Sequence, residues 1–203
     1  MARISRNKRP KISAAIVGEG ITEWYYFSTM RQVERFGFEV KPSIPKHSDF
    51  RSILDSARRL AAEGYDYVFC VLDMDDLIKK PALLREYLRE RARNRQNRNI
   101  LFVESMPCFE LWFLLHFLQG YSAKVYENFH QLKPELMKYI KDYEKTEAFF
   151  RKKSIYEFLE KEGNSDQARQ FAQKLLQDKP KSENPYFNYT QVYEVKDKLR
   201  SLK

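Results

Sequence analysis

The sequence predicts an α/β fold: a parallel four-stranded sheet flanked by helices, with a helical C-terminal extension. Three observations carry that expectation. Short apolar runs alternate with amphipathic stretches in the order βαβαβαβ, which implies a parallel sheet with helices on both faces. Two of the runs end abruptly in acids, as strands do when they deliver side chains to a crevice. Beyond Gly120 the chain changes to Lys-, Glu- and Tyr-rich helical segments without strands. With 203 residues, 43% of them hydrophobic and 15% aromatic, the chain can bury a core without disulfides.

Residues 1–11 form a basic N-terminal arm carrying Arg3, Arg6, Lys8, Arg9 and Lys11. A first strand is expected at 12–17. Thr22 is placed to cap the next helix, in which Tyr26, Met30 and Val33 fall at helical spacing. A short second strand follows at 38–43, and Pro42 and Pro45 mark a loop. Ser48 or Asp49 then starts a helix in which Phe50, Ile53, Leu54, Ala57, Leu60 and Ala61 recur at three and four residues, ending near Gly64. The third strand is 67–72, the next helix 81–95 and the fourth strand 100–103. Residues 108–118 read as a strongly apolar helix. The core domain is thus 12–120 and the helical extension 121–203, with Gly163-Asn164 separating two of its helices and a last helix from Thr190.

The formal charge is +9, with 32% charged residues. A basic surface suits a polyanion such as DNA or RNA, while the local acids recruit cations; the competing account is that Lys and Arg only solvate helices, and the arginine-rich run 85–98 admits either. Cys70 and Cys108 have no CxxC or His spacing that binds zinc and are expected to be reduced and structural. The apolar run 12–17 is too short for a signal peptide core and nothing approaches the ~20 apolar residues of a membrane span, so a cytoplasmic protein is expected.

The chemistry is concentrated in Tyr67-Val-Phe-Cys-Val-Leu-Asp-Met-Asp-Asp76, which ends in Asp73, Asp75 and Asp76, and in Ala14-Ala-Ile-Val-Gly-Glu19-Gly-Ile-Thr-Glu23. If strands one and three are neighbours at the switch point of the sheet, Glu19 meets Asp73 and Asp75, the latter two facing the same way by strand alternation. Clustered carboxylates suit Mg2+ or Mn2+ and phosphodiester cleavage. Thr22-Glu23 also fits an N-terminal capping and dipole role. His116, in an otherwise apolar helix, reads first as a satisfied core residue. Trp24, Tyr25, Tyr26 and Phe27 could stack on bases, but helical spacing makes most of them core; the same holds for Tyr186, Phe187 and Tyr189. Lys46, His47, Lys79 and Lys80 follow strands two and three and are weak candidates for phosphate contacts.

Glu19-Gly-Ile-Thr-Glu23, Asp73-Met-Asp75-Asp76 and Pro107-Cys-Phe-Glu110-Leu-Trp-Phe-Leu-Leu-His116-Phe together resemble the RloB-like family of Toprim proteins. Asn184-Pro185 followed by Tyr189-Thr190-Gln-Val192 extends the similarity over nearly the whole chain. The resemblance implies a Toprim fold related to the OLD-family nucleases, with Glu19, Asp73 and Asp75 as a catalytic magnesium core, Glu23 and Asp76 as supporting metal acids, and Glu110 and His116 as further candidates. It also implies a role in antiviral defence and abortive infection, in some cases beside an ATPase partner; the chain has no P-loop of its own. Ile21 and Met106 stand where polar residues are expected.

Two rival readings are set against the nuclease. Asp73-Met-Asp75-Asp76-Leu77 imitates the nucleophile loop of haloacid-dehalogenase phosphatases, although Leu77 replaces the expected Thr or Val. Alternatively, the acids are vestigial and the protein is a non-catalytic module that binds nucleic acid or an ATPase.

Overall fold

A computed structural model describes residues 12–41, 49–94, 98–120 and 124–202. Five strands lie in the order β2-β1-β3-β4-β5: β1 (Ala14–Val17), β2 (Phe38–Lys41), β3 (Tyr67–Asp73), β4 (Ile100–Met106) and β5 (Tyr189–Thr190). The first four are parallel, and β5 pairs antiparallel with β4 through Ser105–Thr190 and Met106–Tyr189. The chain runs outward from β1 to β2, then returns to place β3 on the other side of β1. That reversal puts a crevice at the carboxyl ends of β1 and β3. All four residues of β1 and five of the seven in β3 are buried, the continuous apolar run expected of strands covered on both faces.

Helix α1 (Ile21–Glu34) follows β1, and α2 (Phe50–Ala62) precedes β3. Asp49 caps α2 by accepting a hydrogen bond from Ser52 N at 3.0 Å. Gly64, at φ 97°, supplies the left-handed turn just beyond its end. A four-residue helix α3 (Asp75–Ile78) and α4 (Pro81–Arg93) link β3 to β4. Every residue of α5 (Glu110–Leu115) is buried, as expected for a helix apolar on all sides.

The C-terminal helices are α6 (Phe129–Leu136), α7 (Glu147–Lys152), α8 (Ile155–Glu162), α9 (Ser165–Asp178) and α10 (Val192–Ser201). Asn164, between α8 and α9, caps α9 by accepting from Gln167 N. The C-terminal segment is not strand-free: Tyr189 and Thr190 extend the sheet, so the last helix starts at Val192 rather than Thr190, and the sheet has five strands instead of four. Ser105 and Thr190 hydroxyls meet at 2.8 Å and Gln191 N donates to Glu104 O, which fixes this pair of residues to the β4 edge. Apolar residues of the sheet, α1, α5 and the C-terminal helices belong to one continuous core, in which Tyr26 touches Phe109, Phe113 and Tyr156.

Thr22 does not cap α1. The helix begins at Ile21 after Gly20, and the Thr22 hydroxyl, now inside the first turn, donates to Glu110 Oε1 at 3.1 Å. Among the described residues no helix is long and apolar enough to cross a membrane.

Candidate active site

Glu19 sits two residues past the end of β1 and directly before Gly20, the N-cap of α1. Its Oε1 accepts a hydrogen bond from Asp73 N at 3.1 Å, bridging 54 residues of sequence across the β1–β3 switch point. Asp73 closes β3, and its Oδ1 accepts from Phe109 N at 2.7 Å. The loop after β3 is held against the end of β4, with Met74 N donating to Ser105 O and Asp75 N to Pro107 O. The backbone of Pro107-Cys108-Phe109 therefore aims Asp73. Each carboxylate uses one oxygen on a backbone N–H, leaving the second to meet a cation.

Glu19, Asp73 and Asp76 line one cleft of about 270 Å³ together with Lys80, Asp49 and the apolar Phe50, Leu77 and Leu83. Burial, then the neighbouring Glu23 carboxylate, pushes the Glu19 carboxyl up to about 8, against the Asp73 N–H bond; Asp75 and Asp76 add to the rise. Burial raises Asp73 well above the ordinary aspartate value; Lys145 opposes the rise, and Glu19, Glu23 and Glu110 add to it. Like charges held this close favour neutral forms unless a cation enters.

The other predicted acids are placed differently. Strand alternation stops at Asp73, because Met74 has helical backbone (φ −95°, ψ −13°) and Asp75 opens α3. Asp75 instead pairs with Lys79 at 3.2 Å, and Lys79 lies 3.8 Å from Asp76. Glu23, 4% exposed, turns back to accept from Gly20 N at 3.1 Å, satisfying an orphan donor at the start of α1. Burial and then the Glu110 charge raise its carboxyl to about 7. Gly18 is required beside it, since a Cβ there would sit 2.8 Å from Glu23 Cβ.

Glu110, fully buried, belongs to a second layer behind the cleft. Its Oε1 accepts from Tyr143 OH at 2.8 Å and from Thr22, while Oε2 lies 3.0 Å from Lys145 Nζ. Burial by itself would raise the Glu110 carboxyl, but Lys145 and the surrounding donors bring it below the ordinary value. Lys145 is a functional candidate the sequence pattern did not single out. It lies in a loop between α6 and α7, 72 residues beyond Asp73, with no motif around it, yet its charge acts on Asp73, Glu23 and Glu110. His116 is a core residue: its Nδ1 lies 2.8 Å from Trp112 O, its ring packs on Trp112, and burial lowers its pKa to about 4. Tyr26 and Phe27 are core as expected. Lys46 and His47 lie outside the described residues.

Two donor sets could hold a cation. Asp73, Cys108 and Glu110 offer ligand atoms all within 4.8 Å of one another. Burial raises the Cys108 thiol, and Glu110 is already neutralised by Lys145, so that set suits a hard cation poorly. Glu19, Asp73 and Asp76 offer hard oxygens to an accessible cleft and fit it better.

The family model described as RloB-like protein matches residues 14–199. The chain belongs to the RloB-like family. That match spans every strand and every acid of the site. No curated protein and no solved structure matches the chain.

Proposed function

We propose that this RloB-like chain is a divalent-metal-dependent enzyme that cleaves phosphodiester bonds in nucleic acid, DNA or RNA, tRNA included, in host defence. The observation that carries the reading is the meeting of Glu19 and Asp73, from two strand ends, in one cleft that also contains Asp76. A cluster of mutually repelling carboxylates, the half-buried Glu19 and Asp73 among them with strongly raised pKa, is costly to folding and is typical of sites that receive a cation. The resemblance of the three motifs to Toprim nucleases points the same way.

Magnesium or manganese bound here would supply a polarised water and neutralise charge on the phosphate. Glu19, Asp73 and Asp76 would hold it. The Asp73 N–H fixes Glu19 Oε1, so Glu19 Oε2 is the atom that would face the cation. Lys80, which also lines the cleft, would meet the substrate backbone, and Lys145 limits the negative charge around Asp73. An ATPase on a separate chain would supply any nucleotide-driven control.

Calorimetric titration of Mg2+ and Mn2+ into wild type and Asp73→Asn, paired with incubation on plasmid, single-stranded DNA and total tRNA, tests the reading. Saturable binding lost in the variant, with metal-dependent products on at least one substrate, is expected. Absence of products on all three would favour the non-catalytic binding module.

A further inference from the structure

A second pocket, of about 310 Å³, lies across α3 from the acid cleft. Met74 and Ile78 line it, while Asp73, Asp76 and Leu77 line the cleft, so one short helix separates the two. Its walls are apolar on the α4 side, through Leu84 and Leu88, and aromatic on the C-terminal side, through Phe187. Leu88 is 47% exposed, one of the few large apolar side chains left in water among the described residues. Apolar walls with a few convergent polar groups are the usual make-up of a ligand pocket.

The polar lining has a surplus of positive charge. Glu104, 1% exposed, is saturated: Tyr87 OH donates to Oε1 at 2.6 Å, Arg91 Nε lies 3.0 Å from the same oxygen, and Tyr189 OH donates to Oε2 at 3.0 Å. Lys179 Nζ is farther off, 3.7 Å from Oε2, and 3.3 Å from the centroid of the Tyr189 ring. One carboxylate thus faces two cations. Arg91 approaches it through Nε, and among the described residues its two terminal amino groups make no hydrogen bond, so they can serve an oxyanion. Asn184 uses Oδ1 on Tyr186 N at 2.9 Å, which leaves its amide NH2 as a further donor at the pocket wall.

We propose that this pocket binds one nucleotide, its phosphate on Arg91 and Lys179 and its base against Leu84, Leu88 and Phe187. The size is at the lower end for ligand pockets, which suits a single nucleotide unit. A base gains by stacking and apolar contact whatever its identity, and the phosphate gains a bidentate guanidinium partner. The nucleotide comes either from a nucleic acid strand or from a free mononucleotide. Burial lowers the Lys179 pKa, and Glu104 acts against that shift, as an incoming phosphate would. The inference needs no metal and stands apart from the cleavage reaction.

The test is equilibrium binding of fluorescent mononucleotides, and of short single-stranded oligonucleotides, to the full chain in excess chelator, with unlabelled inorganic phosphate as competitor. Saturable binding is expected, weakened about tenfold by Leu88→Glu, as for loss of one favourable contact. Leu88 is exposed, so that variant folds; Arg91→Ala is expected to weaken binding as much or more. Asp73→Asn should leave binding intact, which separates this site from the cleft. Mononucleotide binding identifies a free ligand, and binding of oligonucleotides alone identifies a strand nucleotide. Binding of neither, binding unaffected by Leu88→Glu and Arg91→Ala, or competition by phosphate as strong as by nucleotide would overturn the proposal.

Discussion

The two acid sites near the end of β3, one buried at Glu104 and one half-buried at Asp73, use similar residues in opposite ways. Glu104 on β4 is in register with Leu72, while Asp73 pairs with Ser105, so the two acids project from opposite faces of the sheet. Glu104 is surrounded by two tyrosine hydroxyls, a guanidinium and an ammonium. Asp73 is surrounded by other carboxylates, with Lys145 as a counter-charge in the layer behind. The first arrangement compensates its charge within the protein and tacks β5 onto the sheet. The second does so only in part, through Lys145, and a crowded acid cluster of this kind is a common mark of a functional site.

The contrast is most vulnerable at the cleft. Glu19→Gln and Asp73→Asn are each expected to lower metal-dependent cleavage by more than about 100-fold, since loss of even an outer-shell partner costs about 10–100-fold; gel assay of the products checks this. Activity surviving both substitutions would remove the functional half of the contrast. In the absence of metal, Asp73→Asn should raise Tm, because it relieves the crowding while Asn Oδ1 still accepts from Phe109 N.

Glu104→Ala should do the reverse, lowering stability by about 3 kcal/mol in urea unfolding. That is the low end for breaking a buried ion pair, because the Arg91 and Lys179 side chains are each 38% exposed. Equal destabilisation by Asp73→Ala and Glu104→Ala would show that the two sites are built alike.

A smaller effect is expected from pH. Between the ordinary glutamate value of 4.5 and the raised value of about 8, folded Glu19 holds more proton than the unfolded chain, and Glu23 does so up to about 7. Metal-free stability therefore falls as pH rises from about 5 to 8. Each tenfold difference in proton affinity between the folded and unfolded chain is worth about 1.4 kcal/mol, or roughly 3–6 °C in Tm at this size, less where the cleft admits water. Thermal melts across that range should show the decline, Glu19→Gln should flatten it, and saturating Mg2+ should offset it. Smallest of all, Lys79→Ala removes an exposed partner of Asp75 and Asp76 and should change stability by no more than about 0.5 kcal/mol.

Much of this architecture was legible because it is local. The four parallel strands are dense apolar runs, Asp49 starts a helix and Gly163-Asn164 divides two others by residue type, and Glu19 and Asp73 stand at strand ends where a doubly wound sheet opens. Asp75 shows where that logic stops: period two holds only while the backbone is extended, and Met74 turns it into a helix. Thr22 shows the same limit at a helix start, since cap chemistry depends on where the first turn begins and Gly20 already occupies that place.

By itself, the amino-acid order determined the α/β class, the parallel strands and the pair of acids that meet at the β1–β3 switch point. Only the tertiary structure decided that Tyr189 and Thr190 become a fifth strand, a segment too short to show periodicity. It alone placed Lys145 and Tyr143 on Glu110, drew Arg91 and Lys179 to Glu104, and put Asp75 at the start of α3, paired with Lys79. Those contacts join residues dozens of positions apart, and their energy comes from burial and charge pairing that arise only once the sheet and the C-terminal helices share one core.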